Sequence, residues 1–93
     1  MLRRYDAALS DYRKAATLKY RVSDVYFHIG VCCYHLQKYS DAFDAFTEAI
    51  KIDDANHVFY EWRGNTNLAL ERRNKAEADF DAVKRLMANA SLQ

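Results

Sequence analysis

Residues 25–54 read VYFHIGVCCYHLQKYSDAFDAFTEAIKIDD, and residues 59–88 read FYEWRGNTNLALERRNKAEADFDAVKRLMA. Adding 34 to a position in the first stretch returns the same or a similar residue in the second. The pairs that show this are Tyr26 with Tyr60, Gly30 with Gly64, Leu36 with Leu70, Ala42 with Ala76, Phe46 with Phe80 and Ile52 with Leu86. A fixed period in this range is typical of a solenoid, whose units cannot bury a core alone and therefore stack.

Apolar residues recur at helical spacing along the chain, without the alternation that marks a strand. The pattern predicts an all-α fold, a helix-turn-helix solenoid of five helices at 2–19, 24–37, 40–53, 57–71 and 74–88. Short polar side chains that favour helix N-caps stand near the predicted starts. The predicted N-cap residues are Asp6, Ser23, Ser40, Asn56 and Asn74.

The period and its residues resemble those of the tetratricopeptide repeat family. The middle copy carries the resemblance through Tyr26, Ile29, Gly30, Cys33, Ala42, Phe46 and Ala49, and the last through Tyr60, Gly64, Ala76, Phe80 and Val83. The first copy supplies only a second half, through Tyr5, Ala8, Tyr12 and Ala15. The resemblance implies about two and a half repeats: a truncated repeat at 1–22, a complete one at 23–56, and a complete one with a short tail at 57–93.

Two glycines fall in the middle of predicted helices, where glycine costs about 0.5–1 kcal/mol relative to alanine. Gly30 and Gly64 therefore predict close helix–helix approaches, with Ala42 and Ala76 as the small residues on the facing helices. Arg63, beside Gly64, falls at a core-facing position, where a long side chain can bury its stem and keep its charged head in water.

Composition excludes several classes of function. The 93 residues are 51% hydrophobic and 29% charged, with a net charge of +1 and no basic stripe, which argues against a nucleic-acid partner. No uncharged apolar run approaches the length of a membrane span, and no secretory leader is visible, so we expect no membrane partner and a cytoplasmic or other reducing compartment.

Residues that could carry chemistry are not arranged for it. Cys32 and Cys33 are adjacent and complete no zinc spacing, and they are better interpreted as small core residues. His28 and His35 are two helical turns apart, too far to share a metal without further ligands. We therefore expect no catalytic residues, no metal and no cofactor, and hence not an enzyme.

The predicted helix around residues 25–36 is apolar on two faces. Tyr26, Ile29, Cys33 and Leu36 form one stripe, and Phe27, Val31 and Tyr34 form another. In the resembled family, first helices line the concave surface, so the resemblance implies a groove for a partner peptide or helix. The predicted groove residues are Phe27, Val31, Tyr34, His35, Val58, Glu61, Asn65 and Leu68.

Two alternatives stay open at this stage. Phe27 and Tyr34 are equally compatible with packing against neighbouring repeats and with partner contact. At the level of function, a protein-interaction scaffold competes with a structural component or spacer in a large assembly, for example a cytoskeletal or ciliary one. The incomplete first repeat and the small number of repeats also indicate either a fragment of a longer array or self-association through the incomplete ends.

Overall fold

The computed structural model describes residues 22–91. Four helices follow one another in this part of the chain: α1 (Val22–His35), α2 (Tyr39–Ile52), α3 (His57–Ala69) and α4 (Arg73–Ser91). No strand interrupts them among the described residues, so the all-α helical-repeat architecture is confirmed. The fifth predicted helix, at 2–19, and the predicted cap Asp6 lie outside the described residues.

The helices pack as two pairs. α1 contacts α2, and α3 contacts α4, as expected for helix-turn-helix units joined by short turns. α2 also packs against α3 and so joins the two pairs, whereas α1 and α3 meet over a smaller area. The core contains Phe46, with no exposed surface, and Phe59, which is 2% exposed.

The turn that follows α1 depends on a residue with positive φ. Gln37 has φ 62°, and its N–H donates to the Tyr34 carbonyl at 3.0 Å. The Lys38 N–H reaches back to the Cys33 carbonyl at 2.8 Å. This pair of hydrogen bonds is a Schellman motif, the usual way in which a helix is closed by a left-handed residue.

The turn after α3 repeats this geometry 34 residues later. Glu71 has φ 60° and donates to the Leu68 carbonyl at 3.0 Å. The Arg72 N–H donates to the Asn67 carbonyl at 2.8 Å. The period seen in the sequence is therefore also a period of backbone conformation.

Helix starts agree with the sequence predictions in one case. Asn56 caps α3, with its side-chain oxygen accepting the Val58 N–H at 3.0 Å. The other predicted caps within the described residues are wrong, because these side chains lie inside helices that begin one residue or more earlier: Ser23 in α1, Ser40 in α2 and Asn74 in α4.

The start of α2 shows why a polar cap is dispensable there. Lys38, the last residue of the Schellman turn, occupies the N-cap position and makes no side-chain cap bond. Its carbonyl accepts the first helical hydrogen bond, from the Ala42 N–H at 2.9 Å. The turn thus leads directly into the helix, and Tyr39 at the first helical position anchors it by an edge contact with Tyr34, with ring centroids 5.3 Å apart.

Both glycines lie where two helices approach closely, as predicted. A Cβ at Gly30 would lie 2.5–2.8 Å from three atoms of the Phe46 ring. At Gly64 the corresponding distances, to the Phe80 ring, are 2.8–3.1 Å. The atoms nearest to each glycine therefore belong to an aromatic ring one turn further along the second helix than the predicted Ala42 or Ala76, both of which are fully buried.

Candidate interaction surface

Trp62, the single tryptophan of the chain, is the centre of an aromatic cluster that joins the two repeats. Its ring centroid lies 5.5 Å from that of Tyr34, 6.0 Å from that of Phe27 and 6.3 Å from that of His35, all on α1. The Phe46 ring of α2 lies 6.0 Å away. We refer to these five residues as the Trp62 cluster. Such tilted and edge-on pairs contribute about 0.5–1.5 kcal/mol each beyond the area they bury.

The predicted groove residues divide into two groups by exposure. Four are half-buried: Phe27, Val31 and Tyr34 on α1, and Val58 on α3. The other four are exposed: His35, Glu61, Asn65 and Leu68. The structure brings Phe27, Tyr34 and His35 together around Trp62, a residue outside the predicted groove set.

Phe27 and Tyr34 do pack against the neighbouring repeat. Besides its contact with Trp62, the Phe27 ring lies 5.2 Å from the Phe59 ring and 5.9 Å from the Phe46 ring. Both residues nevertheless keep part of their surface open to solvent. The packing and contact interpretations of these aromatic residues are thus compatible, since both residues are only partly buried.

Five apolar or aromatic positions of the first described repeat are occupied by exposed, mostly polar residues in the second. Phe27 corresponds to Glu61, Val31 to Asn65 and Tyr34 to Leu68. On α2 and α4, Phe43 corresponds to Glu77 and Ile50 to Lys84. All five counterparts in the second repeat are exposed, and four of them are polar.

A buried ion pair crosses the second repeat. The Arg63 guanidinium donates from Nη2 to Asp79 Oδ1 at 2.7 Å and from Nε to Asp79 Oδ2 at 3.0 Å. Asp79 is 4% exposed, and its Oδ2 also accepts from Asn67 Nδ2 at 2.9 Å. The Arg63 Nη1 donates to Thr47 Oγ1 on α2 at 3.3 Å. The charged head of Arg63 is therefore held by protein groups rather than left in water as the sequence suggested.

Asp79 and Asn67 were not predicted as parts of a network, although the sequence carries a signal for them. Shifted back by one period, Arg63, Asn67 and Asp79 fall on Ile29, Cys33 and Ala45, three buried apolar residues. The second repeat thus replaces a whole apolar cluster by a hydrogen-bonded polar one. A simultaneous change to arginine, asparagine and aspartate at three core positions is the pattern that would have predicted the network.

Across residues 22–91, no group of three His, Cys, Asp or Glu side chains converges as a metal ion would require. Burial raises the pKa of the Cys32 thiol, which keeps it in the protonated, poorly nucleophilic form at neutral pH. Among the helices of this part of the chain, none is both long and apolar enough to cross a bilayer.

Comparison with known proteins gives the family. The family model of the tetratricopeptide repeat matches residues 23–56, which are α1, α2 and their flanking turns. The chain belongs to the tetratricopeptide repeat family. This agrees with the 34-residue period and with the aromatic rings that cover Gly30 and Gly64.

Two relatives extend the match beyond the single repeat. The chain is 36% identical to the human protein named Tetratricopeptide repeat protein 6 over 65 residues. The aligned region is 70% of this chain and 12% of the relative. Over 60 residues it is 37% identical to TPR repeat-containing protein MJ1428 of Methanocaldococcus jannaschii, covering 64% of this chain and 11% of the relative. The chain thus spans only about a tenth of the length of these tetratricopeptide repeat proteins.

Proposed function

We propose that this chain is a protein-interaction scaffold that binds a peptide or helical segment of a partner along the face formed by α1 and α3. The observation that carries the proposal is the Trp62 cluster, in which Phe27, Tyr34 and Trp62 are half-buried and His35 is exposed. Tetratricopeptide repeats generally mediate protein–protein interaction, which supports this assignment.

The chemistry of the face suits an amphipathic partner. Tyr34 and Trp62 offer rigid aromatic area, which loses little conformational entropy on binding, and Leu68 is an exposed apolar side chain, 49% accessible. Glu61 and Asn65 add hydrogen-bonding groups on α3. We expect a segment with apolar residues over the aromatic rings and a donor or a basic group toward Glu61.

The test begins with peptides selected from a displayed random library on the purified 93-residue chain. Binding is then followed by Trp62 fluorescence, which reports on this face because the chain has no other tryptophan. Leu68→Ala should weaken binding by about tenfold, as loss of an interface anchor costs about 1–2 kcal/mol. The matched control is Ile52→Ala, which removes an equally exposed apolar side chain (50%) from α2 and should change the affinity less than twofold.

Three results would overturn this proposal. Equal weakening by Leu68→Ala and Ile52→Ala, or binding without a change in Trp62 emission, would place the contact elsewhere on the chain. Failure of a cooperatively folded chain to select any peptide would favour the alternative role as a structural spacer in an assembly.

A further inference from the structure

A cleft separates α2 from α4, and we call it the α2–α4 cleft. Both helices pack on α3, but no Cα atom of α2 lies within 8 Å of a Cα atom of α4. The floor of the cleft is therefore α3, through Tyr60, Arg63 and Asn67. Because successive helical residues are about 100° apart, these three lie on the side of α3 opposite to Val58 and Asn65. The cleft is thus separate from the binding face proposed above.

Two cavities of about 210 Å³ each open along the α2–α4 cleft. Beside the floor residues, the first is lined by Phe43, Lys75, Ala78 and Asp79. The second is lined by Asp54, Ala82, Arg85, Leu86 and Asn89. Pockets for drug-sized small molecules measure about 300–1,000 Å³. Each cavity is therefore smaller than such a pocket and is better matched to one side chain of a bound peptide.

Cations without carboxylate partners stand along this cleft. Lys75 lines the first cavity and Arg85 the second, and both are exposed. The exposed Arg72 has its guanidinium carbon 5.3 Å from the centroid of the Phe43 ring, which lines the first cavity. Within residues 22–91, none of these three cations forms an ion pair. Their charges are therefore available to a partner.

Few carboxylates offset these cations. Asp79 is already neutralised by its ion pair with Arg63, so Asp54 is the one unpaired carboxylate among the residues that line the two cavities. The exposed acidic residues Glu77 and Asp81 of α4 line neither cavity. With three cations and one carboxylate, the cleft is positively charged and suits an acidic partner.

The first described repeat carries the opposite charge at the equivalent positions. Lys75, Ala78 and Ala82 correspond to Asp41, Asp44 and Glu48, which line the groove between α1 and α2. An acidic segment is therefore attracted to the second repeat and repelled by the first, which is how charge gives a choice between two similar surfaces.

The spacing of the cations favours an extended segment. Lys75 and Arg85 are ten residues apart on α4, which is about 15 Å along the helix axis. An extended chain covers that distance with about five residues, at about 3.3 Å each. Between the two cations lie Ala78 and Ala82, whose short side chains leave room for a backbone to approach.

We propose that the α2–α4 cleft binds an extended acidic segment of a partner protein. Carboxylates at one end of the segment contact Arg72 and Lys75, and a carboxylate at the other end contacts Arg85. Apolar side chains between them enter the two cavities, the first against the Phe43 ring. Because this site and the α1–α3 face lie on opposite sides of α3, the chain can hold two segments at once.

Fluorescence anisotropy of the labelled peptide EEFEFEE, titrated with the full 93-residue chain at low ionic strength, tests the proposal. In an extended peptide the first and last glutamates lie on the same side as the two phenylalanines, as the cleft requires. The native chain should bind it. The cleft variant Lys75→Glu, Arg85→Glu should bind it about tenfold more weakly, because each reversal replaces an attraction by a repulsion.

The matched control is the variant Arg73→Glu, Lys84→Glu. It changes the net charge of the same helix by the same amount, and both residues are exposed and line neither cavity. Its affinity for EEFEFEE should change less than about twofold. Leu68→Ala, on the α1–α3 face, should leave the affinity unchanged, so failure of this proposal is distinguishable from failure of the proposed function. Circular dichroism checks that every variant keeps its helices.

The remaining outcomes would contradict the proposal. If EEFEFEE does not bind, or if the cleft and control variants weaken its binding equally, the cleft does not recognise acidic segments. Equal binding of the basic peptide KKFKFKK would assign recognition to the aromatic rings alone. Displacement of EEFEFEE by an equal concentration of a short oligothymidylate would make the cleft a general polyanion site rather than a peptide site.

Discussion

At the scale of single residues, Gly30 and Gly64 show how tightly the helices of each pair are packed. Helix propensity alone favours alanine over glycine at both positions, by about 0.8–1 kcal/mol. The aromatic rings above them oppose this preference, because a methyl group would have to share their space. The ring above Gly30 has no exposed surface, whereas Phe80 above Gly64 is only half-buried.

We therefore expect Gly30→Ala to lower the free energy of unfolding by about 1–2 kcal/mol, since overpacking a fixed ring outweighs the gain in propensity. Gly64→Ala, with a ring that has room to move, should be clearly less destabilising. Urea unfolding followed by circular dichroism measures both. A stabilised Gly30→Ala variant would show that Phe46 yields easily, contrary to the packing described above.

The sequence revealed these close approaches but not the residues that make them. A glycine within a helical pattern is itself a signal, because it is unfavourable there unless space is short. Which of Ala42 and Phe46, one turn apart on α2, lies nearer to Gly30 depends on how far one helix is shifted along the other. Side-chain spacing within one helix carries no information on that shift.

At the scale of the helices, the presence of each helix was predicted more accurately than the residues at which it begins and ends. The periodicity placed four helices close to their observed bounds, yet it gave no indication that Gln37 and Glu71 adopt positive φ, which residues of these types rarely do. The predicted caps at Ser40 and Asn74 failed for this reason, because each second helix starts directly from a Schellman turn.

The two left-handed residues lead to a prediction of higher stability. Gln37→Gly and Glu71→Gly should each raise the free energy of unfolding by about 0.5–1 kcal/mol, because glycine adopts positive φ without the steric cost that a side chain brings. Lys38→Gly is the matched control in the same turn: its φ of −90° gives glycine no advantage, and it should destabilise. Equal effects at 37 and 38 would contradict the assignment. Thermal and urea unfolding give the comparison.

At the scale of the whole molecule, the Arg63–Asp79 network connects three helices through side chains. Arg63 lies on α3, its carboxylate partner on α4, and Thr47 on α2. The equivalent place in the first repeat is filled by apolar residues, so the same fold tolerates either solution. Only an alignment of the two repeats with each other would have predicted the whole network, since Asn67 and Asp79 taken alone resemble ordinary surface residues.

The apolar cluster of the first repeat provides a direct test of the polar network in the second. Asp79→Ala alone should cost about 3 kcal/mol of unfolding free energy, because it leaves a largely buried guanidinium without its partner. The triple variant Arg63→Ile, Asn67→Cys, Asp79→Ala copies the cluster of the first repeat and should recover most of that loss. Asp81→Ala, an exposed carboxylate on the same helix, is the control and should change stability by less than about 0.5 kcal/mol. A triple variant no more stable than Asp79→Ala would show that the network is needed for the packing itself.

Phe27, Val31, Phe43 and Ile50 of the first described repeat correspond to Glu61, Asn65, Glu77 and Lys84 of the second, so the surface after the second repeat is unlike the surface that joins the two repeats. If the pair were duplicated in tandem, the added copy would meet polar side chains where the second repeat meets apolar ones. The junction between the two copies would bury less apolar surface than the junction within each copy, and it should be the first place at which such a concatemer opens.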